Sequence, residues 1–126
     1  MNELRKILYV EDEADIQTIA RLALQDVGGF ELQLCSNGSE ALATAQEYAP
    51  DLLILDVMLP GMDGPTTLTE LRKIPALAET PVLFMTAKVQ TRELAQLRAL
   101  GAVEVITKPF DPMTLAETVR QIWQNI

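Results

Sequence analysis

The feature that most constrains the fold is an apolar run that ends in a carboxylate. Leu52–Leu55 are all apolar, Asp56 follows them directly, and Pro50 and Pro60-Gly61 bound the segment. Such a run between turn residues is typical of a strand buried on both faces of a parallel sheet. Burying a lone ionised carboxylate costs free energy, so we expect Asp56 at the mouth of this strand with a positive charge nearby.

Strand-like and helix-like segments alternate along the whole chain. Apolar or alternating segments predict the strands Ile7–Val10, Glu31–Cys35, Leu52–Asp56, Pro81–Thr86 and Val103–Thr107. Helical spacing and Gly/Pro boundaries predict the helices Ala14–Val27, Glu40–Tyr48, Pro65–Ile74, Gln90–Leu100 and one that begins at Pro112. Five strands alternating with five helices favour an α/β doubly wound parallel sheet. The length of 126 residues is that of one domain, which we expect to cover residues 1–126.

Composition argues against several classes of function. The formal net charge is −8 at pH 7 and Lys and Arg form no cluster, so we expect no direct binding to nucleic acid. No signal peptide and no apolar stretch as long as a membrane span is seen, which predicts no membrane contact. The single cysteine, Cys35, excludes an intramolecular disulfide and fits a reducing, cytoplasmic location. The absence of histidine removes the most common general base and metal-binding imidazole.

Polar residues gather where the predicted strands end. Glu11 and Asp12 follow the first strand, Asp56 ends the third, and Thr86 and Lys108 lie at the ends of the fourth and fifth. Because the carboxyl ends of parallel strands open on one crevice, we expect these five side chains to converge. Three carboxylates facing one ammonium favour a bound cation, and hard oxygen ligands favour Mg²⁺.

Four motifs make the chain resemble the receiver domain of two-component response regulators. They are ILYVEDE, LLILDVMLPGMDG, LFMTA and ITKPF, in the order and spacing of that family, and the resemblance covers essentially the whole chain. It implies a flavodoxin-like fold with strand order 2-1-3-4-5. It also implies a phosphorelay function, in which Asp56 accepts a phosphoryl group from a phosphohistidine of a sensor kinase or phosphotransfer protein.

The resemblance implies a role for each residue at the strand ends. The implied metal ligands are Glu11, Asp12, Asp56 and the backbone carbonyl of Met58, with Glu11 acting mainly through a bound water. The implied phosphoryl-binding and switch residues are Thr86, Ala87 and Lys108. The Lys108–Pro109 bond resembles the family's cis peptide, which a proline makes accessible.

The chain departs from the family pattern near the switch. The position that usually holds the aromatic switch residue, three residues before the lysine, is Val105. We therefore expect phosphorylation to change the face formed by the fourth helix, fifth strand and fifth helix without an aromatic flip. Met58 and Lys88, two residues after Asp56 and Thr86, occupy positions that tune the hydrolytic water in the family. Neither can orient a water as a carboxylate or amide would, which predicts slow autodephosphorylation.

The same residues fit other functions less well. An aspartyl-phosphate phosphohydrolase usually carries a second Asp where this chain has Met58, and so would lack its general acid. A flavin or nucleotide binder needs a phosphate loop, whereas the first turn here is the acidic Glu11–Glu13. The intact set of strand-end residues argues against a degenerate receiver that acts without phosphorylation.

The expected protein is a phosphoacceptor domain and not an enzyme, with only self-catalysed phosphotransfer and dephosphorylation. We expect it to bind an unknown output protein as a monomer or weak dimer. The alternative is a receiver fragment of a longer response regulator or hybrid kinase.

Overall fold

The structure is a computed structural model that describes residues 3–87 and 90–126. Its strands are β1 (Lys6–Val10), β2 (Glu31–Cys35), β3 (Leu52–Asp56), β4 (Val82–Thr86) and β5 (Glu104–Thr107). Its helices are α1 (Ala14–Ala20, continued by a π-helical segment over Arg21–Val27), α2 (Gly38–Tyr48), α3 (Gly64–Arg72), α4 (Thr91–Ala99) and α5 (Leu115–Gln124). A short 3₁₀ turn, Pro75–Leu77, follows α3.

The strands form one parallel sheet in the order β2-β1-β3-β4-β5. This order confirms the predicted doubly wound, flavodoxin-like fold. The register pairs Asp56 with Met85 and Thr86 with Thr107, so the carboxyl ends of β3, β4 and β5 lie at the same edge. The chain therefore delivers its strand-end residues to one side of the molecule.

The sheet separates two apolar layers. Every residue of β3 and β4 is buried, which explains why these strands are apolar on both faces. Tyr9 and Ile54 pack on one face with residues of α1 and α5, and Leu53 and Phe84 pack on the other with residues of α2, α3 and α4. Burial of one such leucine contributes about 1.5–3 kcal/mol to the free energy of folding. These layers therefore stabilise the sheet whose strand ends carry the polar residues.

Side-chain caps set where two of the helices begin. Asn37 Oδ1 accepts from the Glu40 N–H at 2.8 Å, so α2 begins before the predicted residue. Asp63 Oδ1 accepts in the same way from the Thr66 N–H at 2.8 Å at the start of α3. Both are hydrogen bonds of the kind that Asn and Asp make at helix N-termini. Within the described residues, no helix has the length and apolar character needed to cross a membrane.

Candidate functional site

The crevice at the strand ends is centred on one ammonium group between two buried carboxylates. Lys108 Nζ donates to Glu11 Oε1 and to Asp56 Oδ2, each at 2.8 Å. The exposed fraction of the side chain is 0% for Glu11, 5% for Asp56 and 14% for Lys108. The ion pairs are therefore shielded from water. In such a buried site the attraction between opposite charges is stronger than at a surface.

Glu11 is held by hydrogen bonds at both carboxylate oxygens. Oε1 accepts from Lys108, and Oε2 accepts from the Glu13 N–H at 3.1 Å. Burial raises the pKa of Glu11 above its ordinary value; the charge of Asp56 adds to this rise, while the hydrogen bonds from Lys108 and Glu13 oppose it. Negative charge at this position is therefore costly, and a further cation would be favourable.

Lys108 is fixed by its backbone as well as by its ammonium. Its peptide bond to Pro109 is cis, and its N–H donates to the Thr86 carbonyl oxygen at 2.8 Å. Burial alone would lower the pKa of Lys108, but the hydrogen bonds to Asp56 and Glu11 together outweigh burial and raise it. The side chain is thus an ammonium across the physiological pH range.

A third carboxylate completes an acidic cluster that fits a divalent cation. Carboxylate oxygens of Glu11, Asp12 and Asp56 all lie within 4.8 Å of one another, and Asp12 is exposed to solvent. One ammonium cannot balance three carboxylates, so the cluster retains negative charge. An oxygen-only donor set open to water on one side suits Mg²⁺, which is usually bound by one or two carboxylates and keeps several of its waters.

The segment after β3 lies close over Asp56. The Met58 N–H donates to Asp56 Oδ1 at 3.2 Å, and 64% of the Met58 residue is exposed. The Gly64 N–H donates to the Val57 carbonyl oxygen at 3.0 Å. A Cβ at Gly64 would lie 2.4 Å from the Asp56 carbonyl oxygen, so only glycine permits this close approach.

The remaining switch positions are distributed along the neighbouring strands. Thr86 is buried at the end of β4, and Ala87 is exposed directly after it. Val105 is half-buried in β5 and packs against the layer that also contains Leu97 of α4. Lys88, the other position expected to influence the hydrolytic water, lies outside the described residues.

An apolar cleft opens beside the lysine. It has a volume of about 250 Å³, and its lining residues are Ile16, Ile19, Ala87, Lys108, Pro109 and Phe110. Ile19 is 39% exposed, although a side chain of this kind is usually buried. The cleft therefore offers an apolar surface on α1 and on the β5–α5 loop immediately next to the acidic cluster.

One residue that contacts the site was not anticipated from the sequence. Gln17 of α1 donates from Nε2 to the Glu11 carbonyl oxygen at 2.6 Å and to the Ser36 hydroxyl at 3.2 Å. In the sequence it is a polar residue within an amphipathic helix, and no pattern relates it to Glu11 or Ser36. Its contacts become visible only when β1 and β2 are placed side by side.

Known proteins match this chain over nearly its whole length. The family model of the response regulator receiver domain matches residues 7–120. The chain is similar to the response regulator Rre1 of Synechocystis sp., with 34% identity over 122 residues that cover 97% of this chain and 53% of Rre1. It is also similar to the alkaline phosphatase synthesis transcriptional regulatory protein PhoP of Bacillus subtilis, with 37% identity over 118 residues that cover 94% of this chain and 48% of PhoP. The chain thus spans about half the length of the curated relatives it matches.

The same likeness is found among solved structures. The chemotaxis response regulator CheY4 of Vibrio cholerae matches with a TM-score of 0.86 at 32% identity, over 95% of this chain and 99% of CheY4. The match thus covers nearly the whole length of both chains.

Proposed function

Because this chain belongs to the response regulator receiver domain family, a family of two-component phosphorelay signalling, we propose that Asp56 is its phosphoacceptor. The observation that carries the proposal is the pair of 2.8 Å hydrogen bonds that place Lys108 between Asp56 and Glu11. An ammonium so close to a strand-end carboxylate is available to neutralise charge on a group transferred to that carboxylate. The phosphodonor would be a phosphohistidine of a sensor kinase or of a phosphotransfer protein.

The proposed reaction is a single transfer at phosphorus. A carboxylate oxygen of Asp56 forms a bond to the phosphorus of the phosphohistidine, and the P–N bond breaks with its electron pair passing to the imidazole nitrogen. Lys108 then exchanges its contact with Asp56 for a phosphoryl oxygen, which keeps the ammonium paired throughout. Transfer to Asp56, and later loss of the phosphoryl group to water, would be self-catalysed; the domain has no separate substrate to turn over.

Mg²⁺ is the cofactor that the acidic cluster fits best. Glu11, Asp12, Asp56 and the backbone carbonyl of Met58 would hold it, with Glu11 acting mainly through a bound water. When bound, the ion would supply positive charge at the transferred phosphoryl oxygens. The cluster prepares for this role because its three carboxylates exceed the single charge of Lys108.

The phosphoryl group would be reported through Thr86 and Lys108. The Lys108 N–H already binds the Thr86 carbonyl oxygen at 2.8 Å, so movement of either residue is transmitted to the other. Thr86 and Ala87 would contact the phosphoryl group and bias the face formed by α4, β5 and α5, where an output protein would bind. Because Val105 has no ring to reorient, the change would be displacement of α4 and not an aromatic flip.

We also propose where the domain is located and how it assembles. A location in the cytoplasm and a monomeric or weakly dimeric state are expected for this domain. The curated relatives are about twice as long as the matched region, so a longer response regulator or hybrid kinase that contains this domain is the alternative assembly.

The function is tested by capture of binding partners with and without a beryllofluoride phosphoryl mimic. The experiment uses Mg²⁺ throughout and compares the wild type with Asp56→Ala. We expect a partner that is retained only by the beryllofluoride-treated wild type, together with amide shift changes over Thr91–Ala99 of α4. Equal capture by treated Asp56→Ala, or unchanged amide shifts in α4, would contradict the proposed switch.

A further inference from the structure

One glutamine joins the acidic turn after β1 to the loop after β2. Gln17 Nε2 donates to the Glu11 carbonyl oxygen at 2.6 Å and to the Ser36 hydroxyl at 3.2 Å. The side chain is half-buried in the first half of α1. The Glu11 N–H also donates to the Cys35 carbonyl oxygen at 2.9 Å, so the two segments are linked on both sides of Glu11. The Gln17 side chain thus connects α1, the turn after β1 and the loop after β2 at the edge of the site.

The bond to the Glu11 carbonyl matters because of the residue that follows. That carbonyl is part of the peptide unit that joins Glu11 to Asp12, and the orientation of this unit, together with the φ angle of Asp12, sets the direction in which the Asp12 side chain leaves the backbone. Glu11 and Asp56 are held by buried hydrogen bonds to Lys108, whereas Asp12 is exposed. Of the three carboxylates, Asp12 is therefore the one whose position depends least on burial.

We propose that Gln17 is a positioning residue for the metal site. By holding the Glu11–Asp12 peptide unit, it keeps the Asp12 carboxylate within 4.8 Å of the oxygens of Glu11 and Asp56, where one cation can contact the cluster. The inference rests on the proposed function, since it assumes that these carboxylates bind Mg²⁺. Groups that orient metal ligands without touching the metal typically change its affinity by about 10- to 100-fold.

The test replaces the donor and measures Mg²⁺ binding directly. Gln17→Met keeps the length of the side chain and removes both hydrogen bonds, so Mg²⁺ titrated in a calorimeter should bind roughly 10-fold more weakly. The matched control is Thr18→Val, which removes a neighbouring bond from Thr18 Oγ1 to the Ala14 carbonyl oxygen at 3.1 Å and should bind Mg²⁺ as the wild type does. In the metal-free Gln17→Met protein, the amide resonances of Glu11–Glu13 should also shift.

A kinetic measurement separates positioning from general damage to the fold. With a small acyl phosphate as donor, the Mg²⁺ concentration that gives half the maximal phosphorylation rate should rise by the same factor in Gln17→Met. The rate at saturating Mg²⁺ should stay within about twofold of the wild type, because only metal binding has been weakened. Gln17→Ala, which also removes both bonds, provides the same test if Gln17→Met does not fold.

Two outcomes would overturn the role of Gln17. One is wild-type Mg²⁺ affinity in Gln17→Met, and the other is an equal loss of affinity in Thr18→Val. Failure of the proposed function is distinct, because the wild type itself would then neither bind Mg²⁺ nor accept a phosphoryl group.

Discussion

The ammonium of Lys108 lies 2.8 Å from a carboxylate oxygen of Asp56, and both side chains are almost fully shielded from water. Lys108→Met would leave the buried carboxylates of Asp56 and Glu11 without their only described ion-pair partner. Removing one partner of a buried ion pair leaves an uncompensated charge and costs about 3–5 kcal/mol, so we expect the free energy of unfolding in metal-free buffer at pH 7 to fall by that amount. Urea titration measures this change in the free energy of unfolding.

Lys73→Met is the matched control for this substitution. Lys73 forms an ion pair with Glu70 at 2.8 Å, but 68% of the Lys73 side chain is exposed. Exposed pairs contribute little, so Lys73→Met should change the free energy of unfolding by less than about 1 kcal/mol. Equal losses from the two lysine substitutions would show that the buried ion pairs of Lys108 contribute no special stability.

Asp12→Asn should stabilise the metal-free protein. The carboxylate of Asp12 lies within 4.8 Å of two others, and removing its charge relieves repulsion worth roughly 0.5–1 kcal/mol after screening by water. The same substitution should abolish the stabilisation that we expect Mg²⁺ to give the wild type. Thermal unfolding with and without Mg²⁺ measures both effects, and Asp15→Asn, in the first turn of α1, should retain the response to Mg²⁺. A metal response that survives in Asp12→Asn would contradict the assignment of Asp12 as a ligand.

The buried carboxylate of Glu11 predicts a pH dependence of stability. Burial raises the pKa of Glu11 above its ordinary 4.5, so the folded state holds this proton more tightly than the unfolded state. The contribution of this proton to the stability of the folded state is therefore fully present below pH 4.5. It is lost as the pH rises through the raised pKa of Glu11. Lys108 does not interfere, because its raised pKa lies above its ordinary 10.5, outside this range.

Glu11→Gln isolates this effect because glutamine has no proton to lose. In metal-free buffer, the free energy of unfolding of Glu11→Gln relative to the wild type should increase as the pH rises above 4.5. Urea titrations of both proteins at several pH values give this difference. A difference that is constant or decreases with pH would mean that the Glu11 carboxyl is not destabilised by burial.

Because position 58 is a methionine, we expect the phosphoryl group on Asp56 to be long-lived. Its N–H donates to Asp56, 64% of the residue is exposed, and a thioether cannot orient a water as a carboxylate or amide does. Met58→Asn should therefore lose the phosphoryl group several-fold faster after the donor is removed. Met113→Asn, at a methionine that is 68% exposed, should lose it at the wild-type rate. No acceleration in Met58→Asn would count against this explanation.

The fold could be predicted from the sequence because its strongest signals are local. The strands β3 and β4 are apolar on both faces and are bounded by turn residues, so their burial follows from sequence alone. Helix starts were less accurate, because a cap depends on one hydrogen bond, such as that from the Glu40 N–H to Asn37. Likewise α5 begins at Leu115 and not at Pro112, and Arg21–Val27 is π-helical although its apolar spacing is that of an α-helix.

The site was predictable where it depends on strand order and not where it depends on packing. Parallel strands bring Glu11, Asp56 and Lys108 to one edge, and the structure places them in direct contact. The contacts of Gln17 and Gly64 could not be read from the sequence, since each depends on how closely one segment approaches another. Such distances follow from tertiary packing, which residue spacing does not encode.

The phosphoacceptor role of Asp56 is tested most directly by locating the phosphoryl group. The wild type is incubated with a small acyl phosphate in Mg²⁺, and intact-protein mass spectrometry is followed by peptide mapping under conditions that preserve aspartyl phosphate. We expect the mass of one added phosphoryl group, located on Asp56, and no addition in Asp56→Asn or in the absence of Mg²⁺. An unmodified wild type, or a phosphoryl group that persists in Asp56→Asn, would contradict the role of Asp56 as phosphoacceptor.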